Sequence, residues 1–224
     1  MTTAARMTEL LRARYQPEAV LVCGSWAEGT QEAESDFDAV VVTRHPAPIH
    51  DGRLAEGVAL DVSFLSPEVL GDLEWEAEEW PQLYHAVPAW DPEGIGAALI
   101  ARVRAAIDAL PGKTPAEKAR AAAWCRKMLG RARRDDPEGN WRRHWLLTES
   151  LTVWAELTDH PWFGGKKALA RMASEDFSSF SLYEAALRDG GGEALAAWVR
   201  RLEELAPARA EQGSEGSEVS SKTP

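Results

Sequence analysis

Three carboxylates and a Gly-Ser pair carry the chemistry that can be read first. Asp36-Phe37-Asp38 opens the apolar run Ala39-Val40-Val41-Val42, and Asp61 sits inside Val58-Ala59-Leu60-Asp61-Val62-Ser63-Phe64. In a strand, residues i and i+2 face the same side. Asp36 and Asp38 are therefore expected to project together, beside Asp61 if the two runs are neighbouring strands. Carboxylates gathered at the ends of apolar strands are costly to bury unless a cation neutralises them. An all-oxygen donor set suits Mg²⁺, which commonly joins a few carboxylates to substrate phosphates. Eleven residues before Asp36, Gly24-Ser25 follows the apolar run Ala19-Val20-Leu21-Val22-Cys23. A Gly-Ser turn just after a strand offers backbone N–H groups and a hydroxyl to a phosphate. The plain alternative makes Asp36 and Asp38 turn or cap residues. Asp61 speaks against it, having apolar neighbours on both sides and no turn to cap.

These residues need a sheet to hold them. Residues 18–23, 37–43 and 57–65 read as strands, and 24–35 as a loop with room for one helical turn. A helix over 3–14 precedes them, ended by Gln16-Pro17. Ser66-Pro67 has the pattern of a helix start, Ser at the N-cap and Pro at the first helical position. Residues 85–90 suit an edge strand because Pro88 is tolerated only at edges or bulges. Residues 95–110 form an amphipathic helix carrying Ile95, Leu99, Val103 and Ile107 on one face. Pro111-Gly112-Lys113-Thr114-Pro115 is the best linker, and beyond it the pattern is helical: 115–134, 140–158, 166–173, 180–188 and 192–205. Residues 207–224 are rich in Ser, Gly and Glu and read as a disordered tail. The expected organisation is α+β: a small mixed sheet domain over 1–110, an all-α bundle over 111–206, and the tail.

Composition narrows the partners. Residues 1–110 hold 7 basic and 19 acidic side chains, a net −12, against +2 for 111–206 and −1 for the tail, within a total of −11. Such asymmetry points to two domains with different tasks. An acidic half argues against nucleic acid as the main partner, since phosphate neutralisation needs dense Lys and Arg. No run approaches the ~20 apolar residues of a membrane helix. The first residues lack the apolar block of a signal peptide, and Cys23 and Cys125 are the only cysteines. A cytoplasmic location with no disulfide framework is the expectation.

The helical half adds candidates. Glu149 lies mid-helix among Trp145, Leu147, Leu151 and Trp154, a setting for a general base or for a solvated helix residue. Glu78 and Glu79, in the carboxylate-rich run Glu74 to Trp80, are the other base candidates; that run is also a natural solvated face or a wall for a polycationic acceptor. Gly164-Gly165-Lys166-Lys167 places two glycines before two lysines at a helix start. There, N–H groups and ammonium charge could meet a triphosphate, or the segment is a plain turn with solvated lysines. Trp26, inside the Gly-Ser loop, either stacks on a base or plugs the turn. The five histidines show no ligand spacing.

Taken together, Gly24-Ser25-Trp26-Ala27-Glu28-Gly29, Ser35-Asp36-Phe37-Asp38 and Asp61 resemble the nucleotidyltransferase superfamily with the polymerase-beta-like fold, in its aminoglycoside-modifying and minimal branch. The motif covers residues 18–64, and the order of elements extends it to about residue 110. The resemblance implies transfer of a nucleoside monophosphate, AMP from ATP foremost, to a hydroxyl of a small molecule, with pyrophosphate released. It implies Mg²⁺ (two ions, Mn²⁺ as a substitute) held by Asp36, Asp38 and Asp61, triphosphate held at Gly24 and Ser25, and a lysine such as Lys166 or Lys167 from the helical domain at the phosphates. Paired metals of this kind stabilise the attacking and leaving oxygens of an in-line displacement. Two other readings stand beside it: a protein-AMPylating antitoxin, and a non-catalytic nucleotide-binding module. A homodimer through an apolar face fits either domain.

Overall fold

The computed structural model describes residues 2–189 and 192–207. The expected tail lies outside the described residues apart from Pro207. The chain divides into two compact units, Met1–Leu110 and Pro111–Pro224. The first is built on a mixed sheet and the second is helical, the α+β organisation expected of the sequence.

In the first unit, helix α1 (Thr3–Tyr15) leads into β1 (Ala19–Val22), the short helix α2 (Gly24–Glu28), β2 (Phe37–Val42), β3 (His50–Asp51), β4 (Leu54–Ala55), β5 (Val58–Leu65) and β6 (Val87–Trp90), and α3 (Ile95–Asp108) closes it. The strand order is β3-β5-β2-β1-β6, with β4 also paired to β5. β1 runs antiparallel to β2 and to β6, while β2 and β5 run parallel. Alternation decides the faces. Val20, Val22, Phe37, Ala39, Val41, Leu60 and Val62 join Met7 and Leu11 of α1 in one core. The opposite face of β1 takes α3: a Cβ on Gly96 would lie 2.4 Å from Leu21 Cδ2 and 3.1 Å from the Ala19 Cβ, so only glycine lets the helix approach this closely. Asp91 caps α3 by accepting from the N–H groups of Gly96 (3.0 Å) and Ala97 (2.8 Å). β6 carries Pro88 at the sheet edge, where the missing N–H costs no ladder bond.

Two features differ from the sequence expectation. The β3 and β4 segments add antiparallel partners to β5. Leu54 to Ala59 forms a two-residue hairpin whose central residues, Glu56 and Gly57, have φ of 49° and 83°. Both signs are positive, as a type I′ turn requires, so Gly57 belongs to the turn and not to the strand. The carboxylate-rich segment after β5 forms three short 3₁₀ turns at Pro67–Leu70, Ala77–Glu79 and Pro81–Leu83. They wrap Arg102 of α3, whose guanidinium donates to the carbonyls of Val69, Leu70, Asp72 and Trp75 and lies over the Trp75 ring. Glu78 and Glu79 are exposed on that wrap.

Strand β3 is pinned from α1. The Tyr15 hydroxyl donates to Asp51 Oδ2 at 2.6 Å, and the Arg53 N–H donates to Asp51 Oδ1 at 3.3 Å. Burial alone pushes the Asp51 carboxyl up; the Tyr15 bond, the Arg53 N–H and the nearby Arg53 and Arg14 charges outweigh it, and the net shift is downward from 3.8. A carboxyl lowered by folding stabilises the protein above its unfolded pKa, and that stabilisation is lost as pH falls through the folded value. Tyr15→Phe is therefore expected to cost about 1.5–3 kcal/mol at pH 7, the range for hydrogen bonds to charged groups. The gap should narrow below about pH 4. Denaturant unfolding of both proteins at pH 7 and pH 3 measures this, and an equal gap at both pH values would refute it.

The second unit comprises α4 (Pro115–Ala132), α5 (Pro137–Leu157), α6 (Gly165–Glu175), α7 (Phe177–Asp189) and α8 (Glu193–Leu205). Thr114 and Glu117 form a reciprocal capping box at the start of α4. Asp136 caps α5, so the helix expected from residue 140 already begins at Pro137. Trp154 and Trp198 are fully buried, with Met128, Leu146, Met172 and Leu195 around them. Their indoles find partners, Trp198 Nε1 donating to Ser150 Oγ at 2.8 Å and Trp154 Nε1 to Asp176 at 3.4 Å. Trp141 and Trp145 instead stack on each other at 5.2 Å on the exposed side of α5.

Candidate metal centre

Register brings the carboxylates together. Asp38 and Asp61 are direct partners in the parallel β2–β5 ladder. Phe37, Leu60 and Val62 point into the α1 core, so Asp36, Asp38 and Asp61 all take the other side. One carboxylate oxygen of each lies within 4.8 Å of the others. Asp38 is half-buried, and Asp36 and Asp61 are exposed. The cost of burying three carboxylates is thereby kept small: the strands end at the surface, and water solvates the outer two.

Gly24 abuts this cluster. A Cβ on it would lie 2.2 Å from Asp38 Oδ2, and its φ of 57° is left-handed. Both conditions call for glycine. The Cys23 N–H donates to the Asp38 carbonyl at 2.9 Å, tying the end of β1 to the start of β2. Ser25 follows in α2, which ends at Gly29 with φ of 70°. Trp26 donates from Nε1 to the Asp36 carbonyl at 2.7 Å and meets Phe37 edge-on at 5.8 Å. It therefore plugs the turn and fixes the loop that carries Asp36.

His50 is the residue that sequence spacing missed. Its Nε2 lies 2.8 Å from Asp61 Oδ1. Eleven residues separate the pair, and a two-residue strand brings them together, so no local motif could announce it.

The remaining candidates belong to the helical unit. Glu149 lies on α5, exposed, one turn beyond the exposed Trp145. Lys166 is exposed and Lys167 half-buried in the first turn of α6, with Lys167 Nζ 5.8 Å from the Phe163 ring centroid. Gly164, with φ of 94°, turns the chain into that helix.

Three oxygen donors from three carboxylates, gathered within 4.8 Å, fit a hard divalent cation such as Mg²⁺ or Mn²⁺. A carboxylate held against a bare Cα at Gly24 adds a fixed edge to the set. No protein-family model matches the chain, and no curated protein does. Among solved structures, a nucleotidyltransferase-like protein from Exiguobacterium sibiricum 255-15 is similar to it, with 12% identity, 89% of this chain and 74% of that chain covered, and a TM-score of 0.42. Among the described residues, no helix is long and apolar enough to cross a membrane.

Proposed function

We propose that the chain is a Mg²⁺-dependent nucleotidyltransferase that moves a nucleoside monophosphate, AMP from ATP foremost, onto a hydroxyl of a small molecule of the aminoglycoside type, releasing pyrophosphate. The observation that carries this reading is the convergence within 4.8 Å of Asp38 and Asp61, on adjoining strands, with Asp36, just before β2, against the Gly24 turn. When bound, a divalent cation would withdraw charge from the phosphoryl oxygens and make the acceptor hydroxyl easier to deprotonate.

The chain's own residues do the rest. Asp36, Asp38 and Asp61 supply the negative charge that holds the cation. Asp38, wedged against Gly24, has the least freedom among them. Ser25 and the backbone at Gly24 are the proposed hold on the outer phosphates. From the helical unit, Lys166 or Lys167 is the proposed source of positive charge for the phosphates, and Glu149 the proposed acceptor of the hydroxyl proton. The net −12 of residues 1–110 suits a cationic acceptor.

The test is a transfer assay with each of the four α-labelled nucleoside triphosphates and Mg²⁺. Panels of aminoglycosides and lincosamides are offered as acceptors, and a cell extract separately. Label on an aminoglycoside, absent when Asp38→Asn replaces the native chain, is the expected result. Label on a protein band would replace the small-molecule reading with protein AMPylation. Label on nothing, with nucleotide still bound, would replace it with a binding module.

A further inference from the structure

We propose that His50 is a positioning residue for the cation site, acting through Asp61, and that Gly52 is the residue that makes room for it. This rests on the reading of Asp36, Asp38 and Asp61 as a cation site.

The strand geometry aims the imidazole. In the β3–β5 ladder His50 pairs with Ser63 and Asp51 with Val62. Neighbouring residues on a strand face opposite ways. Asp51 turns inward and is held there by Tyr15. His50 therefore takes the other side, the side of Ser63 and Asp61, and reaches Asp61 diagonally across the ladder. An ionised carboxylate only accepts hydrogen bonds, so the ring Nε2 donates to Asp61 Oδ1. One oxygen of Asp61 is then engaged, the plane of the carboxylate is set, and Oδ2 is left for a cation.

Gly52 completes the arrangement. A Cβ there would lie 2.9 Å from His50 Cε1, so any side chain at 52 displaces the ring. The His50–Asp61 pair is half exposed on both sides, at 51% and 53%. A pair that open contributes little to fold stability. Its consequence is orientation of a ligand, and partners of that kind typically shift metal affinity by about 10–100-fold.

The test measures Mn²⁺ affinity by electron paramagnetic resonance on the full chain, with thermal melting of the same cation-free samples. The variants are His50→Ala, His50→Gln, Gly52→Ala and Asp38→Asn. His50→Ala is expected to bind Mn²⁺ about tenfold more weakly or worse, with an unchanged melting temperature. His50→Gln keeps an N–H donor at similar reach and should recover most of the loss. Gly52→Ala should weaken binding in the same direction. Mn²⁺ affinity unchanged in His50→Ala, while Asp38→Asn loses it, would overturn the role of His50 and leave the cation site standing. His50→Gln as weak as His50→Ala would also overturn it, as would a lowered melting temperature that tracks the affinity loss. A native chain that binds no Mn²⁺ would overturn the cation site and this role together.

Discussion

Asp38→Asn is expected to abolish the proposed nucleotidyl transfer and to leave the fold intact; that is the largest effect the site geometry leads us to expect. Asp38 stands at the centre of the cluster, opposite Asp61 in the ladder and against the Cα of Gly24. Asparagine keeps the shape, so the packing against Gly24 survives. It removes the charge, and a neutral amide oxygen is a poor substitute for a carboxylate toward a divalent cation. The transfer rate should fall about 10³-fold or more, equivalent to roughly 4 kcal/mol of transition-state stabilisation. Circular dichroism and melting should match the native chain. A variant turning over at near the native rate would show that the carboxylates were assigned the wrong work.

Gly24→Ala should be nearly as damaging, for a different reason. Two costs add. A residue with a Cβ at φ of 57° carries left-handed strain of about 1–2 kcal/mol. The new methyl would also sit 2.2 Å from Asp38 Oδ2, so the carboxylate has to move. Misplacing a catalytic group by about 1 Å can cost about 10²-fold in rate. Gly29 separates the two costs. Its φ is 70°, yet a Cβ there meets nothing within 4 Å. Gly29→Ala should therefore lose similar stability and keep its activity. Equal rate losses in the two variants, measured beside their melting temperatures, would mean that strain alone explains Gly24.

How far the sequence disclosed this depended on the range of each interaction. Asp36 and Asp38 share a face by strand alternation alone, and Asp61 joins them because its own apolar run pairs in parallel with β2. These are properties of single strands plus one pairing, and they show in the pattern. Gly24 could be singled out as a turn residue, but its clash with Asp38 depends on the antiparallel β1–β2 register. His50 was opaque because β3 is two residues long, too short for any periodicity. Its anchor is the side-chain bond from Tyr15 to Asp51, across 36 residues. The Glu56-Gly57 turn carried a legible signal in its glycine, which the adjoining apolar run drew into the strand. In the helical unit α5 begins three residues before the expected 140, because Asp136 caps it and Pro137 suits the first helical position.

The most direct test of the central claim is a calorimetric titration of the native chain with Mn²⁺, repeated on Asp36→Asn, Asp38→Asn and Asp61→Asn. Binding to the native chain, weakened in all three variants, is the predicted result, because the three oxygens form one donor set. Affinity indifferent to Asp38, or carried by only one of the three, would contradict a shared cation site and the nucleotidyl transfer built on it.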